Sequence, residues 1–277
     1  MTSIPDDESW AVTEFADADL GDARRTQRLV ELATGFAQRP GASLPEACGT
    51  RAMLKAAYRF FDNEAIAPQA LLERHVRATS DRLARVPRVL AVQDTTELDW
   101  TAHPAPTGLG PLAHPAHQGR HVHTTLALPP ARGPRGLLAQ QVWARAPASP
   151  GKRATRKRRP VADKASPKWL PSVAAVSEAH GHCPQTYCVC VGDREADVYH
   201  LVYQERPSGV DLRVRASWDR RVDHPERYLW ARVAACPVVA TLTRRGPRRG
   251  AQPARQASVA GRWGWVRLCP PPHRKAE

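Results

Sequence analysis

Two aspartates close short apolar runs that lie far apart in the 277-residue sequence. Asp94 follows Val89-Leu90-Ala91-Val92-Gln93, and Asp193 follows Tyr187-Cys188-Val189-Cys190-Val191-Gly192. Open α/β sheets hold their ligands outside the carboxyl ends of strands, which is where both carboxylates fall if the runs are strands. Should the strands be neighbours, the two side chains converge, and hard oxygen ligands close together recruit Mg²⁺ or Mn²⁺. A metal site of that kind activates a water or a 3′-hydroxyl and steadies the leaving oxygen during in-line attack on a phosphodiester. Each aspartate alone also admits a plainer role as a helix N-cap or a salt-bridge partner.

The elements that must position these acids begin at about Val86. Val89 to Gln93 reads as a buried strand, His121 to Leu128 as a second and Leu137 to Arg145 as a third, with the Pro- and Gly-rich stretch 129–136 joining the last two as a hairpin turn. Lys168-Trp169-Leu170 opens a helix reaching about His180. A fourth strand carries Asp193, Glu195 to Arg206 reads as helical, and Val210 to Ala216 is a fifth strand. This order describes an α/β domain with a mixed sheet. Further on, Pro237 to Leu242 and Trp263 to Leu268 read as two more strands, separated by Arg244-Arg245-Gly246-Pro247-Arg248-Arg249-Gly250.

Before Val86 the sequence is helical. Asp22 is an N-cap for a helix over 23–36, in which Leu29, Leu32, Ala33 and Phe36 recur at helical spacing. Arg24, Arg25 and Arg28 crowd its first turns, where positive charge opposes the helix dipole, so a phosphate contact explains them better than a solvated face does. A second helix runs from near Thr50 through Arg51 to Phe61, with Tyr58, Phe60 and Phe61 assigned to the core. Pro68 opens a third, with Leu71, Leu72, His75 and Val76 facing inward.

The formal net charge is +14, with 41 Lys and Arg against 27 Asp and Glu. Such a balance points to a polyanion, since neutralising phosphates releases counterions. Lys152, Arg153, Arg156, Lys157, Arg158 and Arg159 form a basic block without apolar periodicity, the kind of segment that touches nucleic acid. No apolar run approaches the length of a membrane-spanning helix, and the start of the chain is acidic where a signal peptide is basic. A soluble, cytoplasmic protein is the expectation. The six cysteines suit free thiols, and Cys183, Cys188 and Cys190 fit buried strand positions better than a zinc pattern.

Several of these segments together resemble bacterial cut-and-paste DDE transposases of the transposon-five type, within the insertion-sequence-4 superfamily. Leu20-Gly21-Asp22-Ala23-Arg24-Arg25-Thr26-Gln27-Arg28-Leu29 and Ala57-Tyr58-Arg59-Phe60-Phe61 are similar to the family's N-terminal DNA-binding domain. Asp94-Thr95-Thr96 resembles its first catalytic strand end, Lys168-Trp169 the helix before the second acid, and Asp193-Arg194-Glu195-Ala196-Asp197 the second catalytic motif.

The resemblance implies a helical DNA-binding domain over 9–84, an RNase H-like catalytic core over 85–220 and the start of a β-rich insertion over 221–277. It implies that Asp94 and Asp193 are the first two acids of a triad binding Mg²⁺ or Mn²⁺. It also implies that Arg24, Arg25, Arg28 and Arg51, with the Lys152 to Arg159 block, contact double-stranded DNA at terminal inverted repeats. The family's third acid lies in a Tyr-Arg-Glu motif that has no counterpart here, and neither Glu195 nor Asp197 is a convincing substitute. The expectation is a truncated, catalytically impaired transposase that retains DNA binding, or else a non-enzymatic DNA binder that inhibits an intact transposase.

Overall fold

A computed structural model of the chain describes residues 7–103, 105–114, 116–130, 133–146, 168–246 and 256–270. They form two compact units, one holding residues up to 196 together with 204–214, the other 197–203 together with 215 onward.

The first unit opens with five helices: α1 (Asp7–Phe15), α2 (Ala23–Gln38), α3 (Leu44–Cys48), α4 (Arg51–Phe61) and α5 (Pro68–Leu83). Asp22 caps α2 by accepting the Arg24 N–H, and the Thr50 hydroxyl caps α4 by accepting the Met53 N–H. Each cap satisfies one of the four N–H groups that a helix start leaves without a partner. Ala18, Leu20, Leu29, Leu32, Ala57 and Phe60 make a common core, with Phe15, Leu44, Met53 and Ile66 packed against it. Helix α3 sits close to α2 because residue 35 is glycine: a Cβ there would lie 2.9 Å from the Ala47 carbonyl oxygen. The assignment of Tyr58 and Phe61 to the core is corrected, since they are 51% and 55% exposed and only Phe60 is buried. Each next residue along a helix turns about 100°, so with Ala57 and Phe60 inward, positions 58 and 61 swing towards solvent.

The sheet of this unit contains β1 (Arg88–Asp99), β2 (Gly110–Pro111), β3 (Gln118–Leu128), β4 (Gly136–Trp143), β5 (Tyr187–Gly192) and β6 (Val210–Val214). Its order is β2-β3-β1-β5-β6, with β4 also on β3. Pairing is antiparallel among β1, β3 and β4 and parallel among β1, β5 and β6, so the sheet is mixed, as expected. One face is buried, and alternation puts Val89, Ala91 and Gln93 of β1, His121, His123 and Thr125 of β3, and Cys188 and Cys190 of β5 on it. Helices α5 and α6 (Trp169–Gly181) pack on β4.

Strand β1 runs past its expected end, because β3 continues to pair with it from Leu90 as far as Asp99. Asp94 therefore lies inside a strand, opposite Thr124, and only the pairing with β5 stops before it, at Val92.

A buried ionic cluster fastens the helices to the sheet. Glu14 of α1 is 1% exposed, with His75 Nδ1 at 2.5 Å and Arg82 Nη1 at 2.6 Å, both from α5. His75 Nε2 accepts the Leu137 N–H, so the ring's proton sits on Nδ1, facing Glu14, while Arg82 Nε donates to the Arg135 carbonyl.

The second unit contains α7 (Tyr199–Tyr203), α8 (Leu229–Ala234) and an antiparallel ribbon of β7 (Val238–Arg245) and β8 (Gln256–Arg262). Two expectations are corrected. In place of one helix from Glu195 to Arg206 there is a single 3₁₀ turn, Arg194–Ala196, and then the short α7. Asp197 explains the break within its own unit: its carboxylate accepts from the N–H groups of Ser217 and Trp218 and from Arg220, and such side-chain bonding competes with a helix. The strand after β7 is Gln256–Arg262 rather than Trp263 to Leu268, and it pairs with β7 with Leu242 opposite Val259. Of the segment 263–268 only Leu268 makes a bridge, to Val222, and Trp265 is 90% exposed.

Burial would raise the Glu14 carboxyl, but the hydrogen bonds from His75 and Arg82 outweigh it and hold the group at about 2, against an ordinary value of 4.5. A depressed carboxylate stabilises fully above its unfolded value and loses that stabilisation as pH falls through the folded one. Glu14→Gln is therefore expected to cost about 3 kcal/mol at pH 7, as for one partner removed from a buried ion cluster. In urea unfolding followed by circular dichroism, the gap between the two proteins should close as pH falls from 4.5 towards 2.

Candidate nucleic-acid interface and active site

Helices α2 and α4 enclose a groove of about 490 Å³ lined by Arg24, Arg25, Arg28, Lys55 and Arg59, with Ala52, Ala56, Phe60, Asn63 and Ile66 between them. Five cations and no carboxylate line it. The three α2 arginines expected from the sequence meet here. Lys55 and Arg59, which sequence reasoning passed over, join them; their signal was the spacing of Arg51, Lys55 and Arg59 at intervals of four, one stripe of a helix. Arg51 is exposed at the head of that stripe but lies outside the groove lining.

The cations are not equivalent. The Arg24 side chain is 91% exposed. Arg25 donates to the Leu20 carbonyl at 2.9 Å, and Arg28 sits 2.5 Å from Glu31 and 3.1 Å from Met53 Sδ. Asp22 occupies the end of α2, and the Arg24 N–H that it accepts, together with the charges of Arg24 and Arg25, keeps its carboxyl below the usual range. The helix start is thus already capped by an anion, which leaves phosphate contacts to the long side chains. Lys152, Arg153, Arg156, Lys157, Arg158 and Arg159 lie outside the described residues.

Residues 7–66, spanning α1 to α4, match the family model described as transposase DNA-binding. The match supports a transposase, with DNA as the partner of this domain, and the arginine groove falls within it. No described helix is long and apolar enough to cross a membrane.

The second site is the aspartate pair. The parallel register runs from Arg88 beside Tyr187 to Val92 beside Val191. Asp94 and Asp193 each follow the last pair by two positions, Asp94 within β1 and Asp193 just past the end of β5. Both are exposed, on the face opposite the buried cysteines. Each uses one oxygen locally: Asp94 Oδ1 accepts the Thr95 N–H and Asp193 Oδ1 accepts the Glu195 N–H, both at 2.8 Å.

No third acid joins them among the described residues, where no group of three or more His, Cys, Asp or Glu side chains could hold a metal. Glu195 is bound to Lys168 Nζ at 2.8 Å, and that hydrogen bond holds its carboxyl below the usual value. Asp197 is 7% exposed and engaged by Arg220. Behind the pair, on the helix-covered face, His123 is fully buried; desolvation, with Lys168 adding to it, lowers its pKa to about 4.

If the groove carries phosphates, Arg24→Ala, Lys55→Ala and Arg59→Ala should each weaken binding of duplex DNA about equally for all sequences. Each should also lower the slope of log K against log salt by about one for every phosphate that is no longer neutralised. Fluorescence anisotropy over a series of salt concentrations checks this.

Proposed function

We propose that the chain is a DDE-type transposase of an insertion sequence, related to the transposon-five type, which binds its element's terminal inverted repeats through the α2–α4 groove. The observation that carries this reading is the conjunction of a five-cation groove inside a transposase DNA-binding domain with two exposed aspartates that each lie two residues past the last pair of neighbouring strands. In this reading the helical part, 9–84, binds DNA, 85–220 is an RNase H-like core and 221–277 begins a β-rich insertion. The Lys152 to Arg159 block runs along the DNA, and the protein resides with the nucleoid.

The donor set suits Mg²⁺ or Mn²⁺. Two exposed carboxylates supply hard oxygens, and Mg²⁺ is commonly held by one or two carboxylates while keeping several waters. A cation held by Asp94 and Asp193 would supply Lewis-acid activation of a phosphodiester and of the attacking water. The protein's own part is to orient the two carboxylates, with one oxygen of each fixed by a main-chain N–H. The groove holds the duplex by its phosphates, fixing orientation without reading bases.

With two carboxylates and Glu195 committed to Lys168, catalysis by this chain alone is impaired while DNA binding is retained. The same observation favours a second reading, a non-enzymatic DNA binder that occupies the ends used by an intact transposase. A gel-based assay on terminal-repeat DNA with Mg²⁺ tests the proposal. Retained complexes with slow cutting, abolished by Asp94→Asn or Asp193→Asn, are expected; robust cutting that survives both substitutions would rule out the aspartate pair as the site. Complexes with no cutting at all would select the second reading.

A further inference from the structure

We infer that Trp169 is a positioning residue that braces the backbone beside Asp94 and Asp193 from behind, setting the cation affinity of the pair. The inference rests on the metal-binding reading above. Trp169 is the first residue of α6 and is 2% exposed. Its ring fills the space next to Gly192, the residue before Asp193: a Cβ on Gly192 would lie 3.1 Å from Trp169 Cζ3 and 2.4 Å from the Ala196 Cβ. Glycine here is a spatial requirement, since either contact forces a shift.

The same indole reaches the other aspartate through one intermediary. The His123 ring stands edge-on to it, with centroids 4.7 Å apart and planes at 76°. His123 Nδ1 in turn bonds the hydroxyl of Thr95, the residue after Asp94, at 2.9 Å. A continuous line of packed groups thus runs from Thr95 through His123 and Trp169 to Gly192, on the face of the sheet away from the carboxylates.

Adjacent contacts hold the brace in place. Lys168 bonds Glu195 in the turn just after Asp193, at 2.8 Å, and its ammonium lies 5.5 Å from the centre of the Trp169 ring. The amide of Gln141 on β4 donates to the Lys168 carbonyl at 2.7 Å and to Ser172 Oγ at 2.8 Å, anchoring the first turn of α6 to the sheet. Two carboxylates repel each other, and the strands that lead to them pair with one another only as far as Val92 and Val191, while β3 goes on pairing with β1 past Asp94. Beyond that point β1–β5 pairing does not set the distance between the two segments, and Trp169 with its neighbour His123 links them from behind, Trp169 at Gly192 and His123 at Thr95.

The test is Mn²⁺ binding to the full chain, read by electron paramagnetic resonance of the free ion, with thermal unfolding measured beside it. The variants are Trp169→Ala, Gly192→Ala and, as a control, Val173→Ala, a fully buried position on the same helix. Trp169→Ala and Gly192→Ala should raise the dissociation constant by about 10-fold or more, in the range found when groups supporting metal ligands are removed. Val173→Ala should lower the melting temperature yet leave the constant within about twofold, and Trp169→Phe should recover most of the affinity that Trp169→Ala forfeits. If Mn²⁺ binding depends on Asp94 and Asp193 but is the same in Trp169→Ala as in Val173→Ala, the bracing role is overturned and the metal reading stands. If binding is absent, or survives Asp94→Asn and Asp193→Asn, the metal reading fails and the brace falls with it.

Discussion

The parallel pairing of β1 with β5 is the constraint on which the candidate chemistry depends. It joins segments almost a hundred residues apart, and side-chain period two makes its register all-or-none: a slip of one residue would send Asp193 to the helix-covered face while Asp94 stayed outside. Burial enforces the register. Val89 and Ala91 of β1 and Cys188 and Cys190 of β5 are all at most 1% exposed, and burial pushes the Cys190 thiol up to about 12. These cysteines act as small apolar side chains, with no sign of ligand chemistry, and the carboxylates follow on the opposite face.

The helices have a different relation to the sheet. Their five-cation groove uses long, at least partly exposed side chains, whereas their attachment uses a carboxylate buried beneath α5. Glu14 takes both His75 and Arg82, and those two residues in turn reach Leu137 and Arg135 at the start of β4. One anion therefore couples α1, α5 and the β3–β4 turn. A protein with net charge +14 commits one of its acids to internal cohesion there, while the groove that would meet phosphate is lined by none.

Much of this arrangement was legible in the sequence, for identifiable reasons. Asp22 and Thr50 announce α2 and α4 because capping chemistry is local, and the apolar runs before Asp94 and Asp193 announce β1 and β5 because buried strands need them. What stayed hidden depended on distant partners. Asp94 could not be seen to lie within a longer strand, because only β3 extends it. The expected helix from Glu195 ends early because Asp197 bonds residues some twenty positions ahead. Tyr58 and Phe61 were read inward from aromatic content, whereas the phase of Ala57 and Phe60 decides which way they point. Lys168-Trp169 is legible as the start of the helix before the second acid, whereas the contact of Trp169 with Gly192 requires the fold.

Iron-mediated affinity cleavage tests the central claim, that Asp94 and Asp193 form one cation site, most directly. Fe²⁺ replaces Mg²⁺ at oxygen ligands, and with ascorbate and peroxide it cuts the backbone within a few ångströms of where it binds. The account predicts two clusters of backbone cuts, around residue 94 and around residue 193, both suppressed by excess Mg²⁺ and both abolished together in Asp94→Asn. Cuts at only one of the two segments, or cuts at both that persist without Asp94, would contradict it.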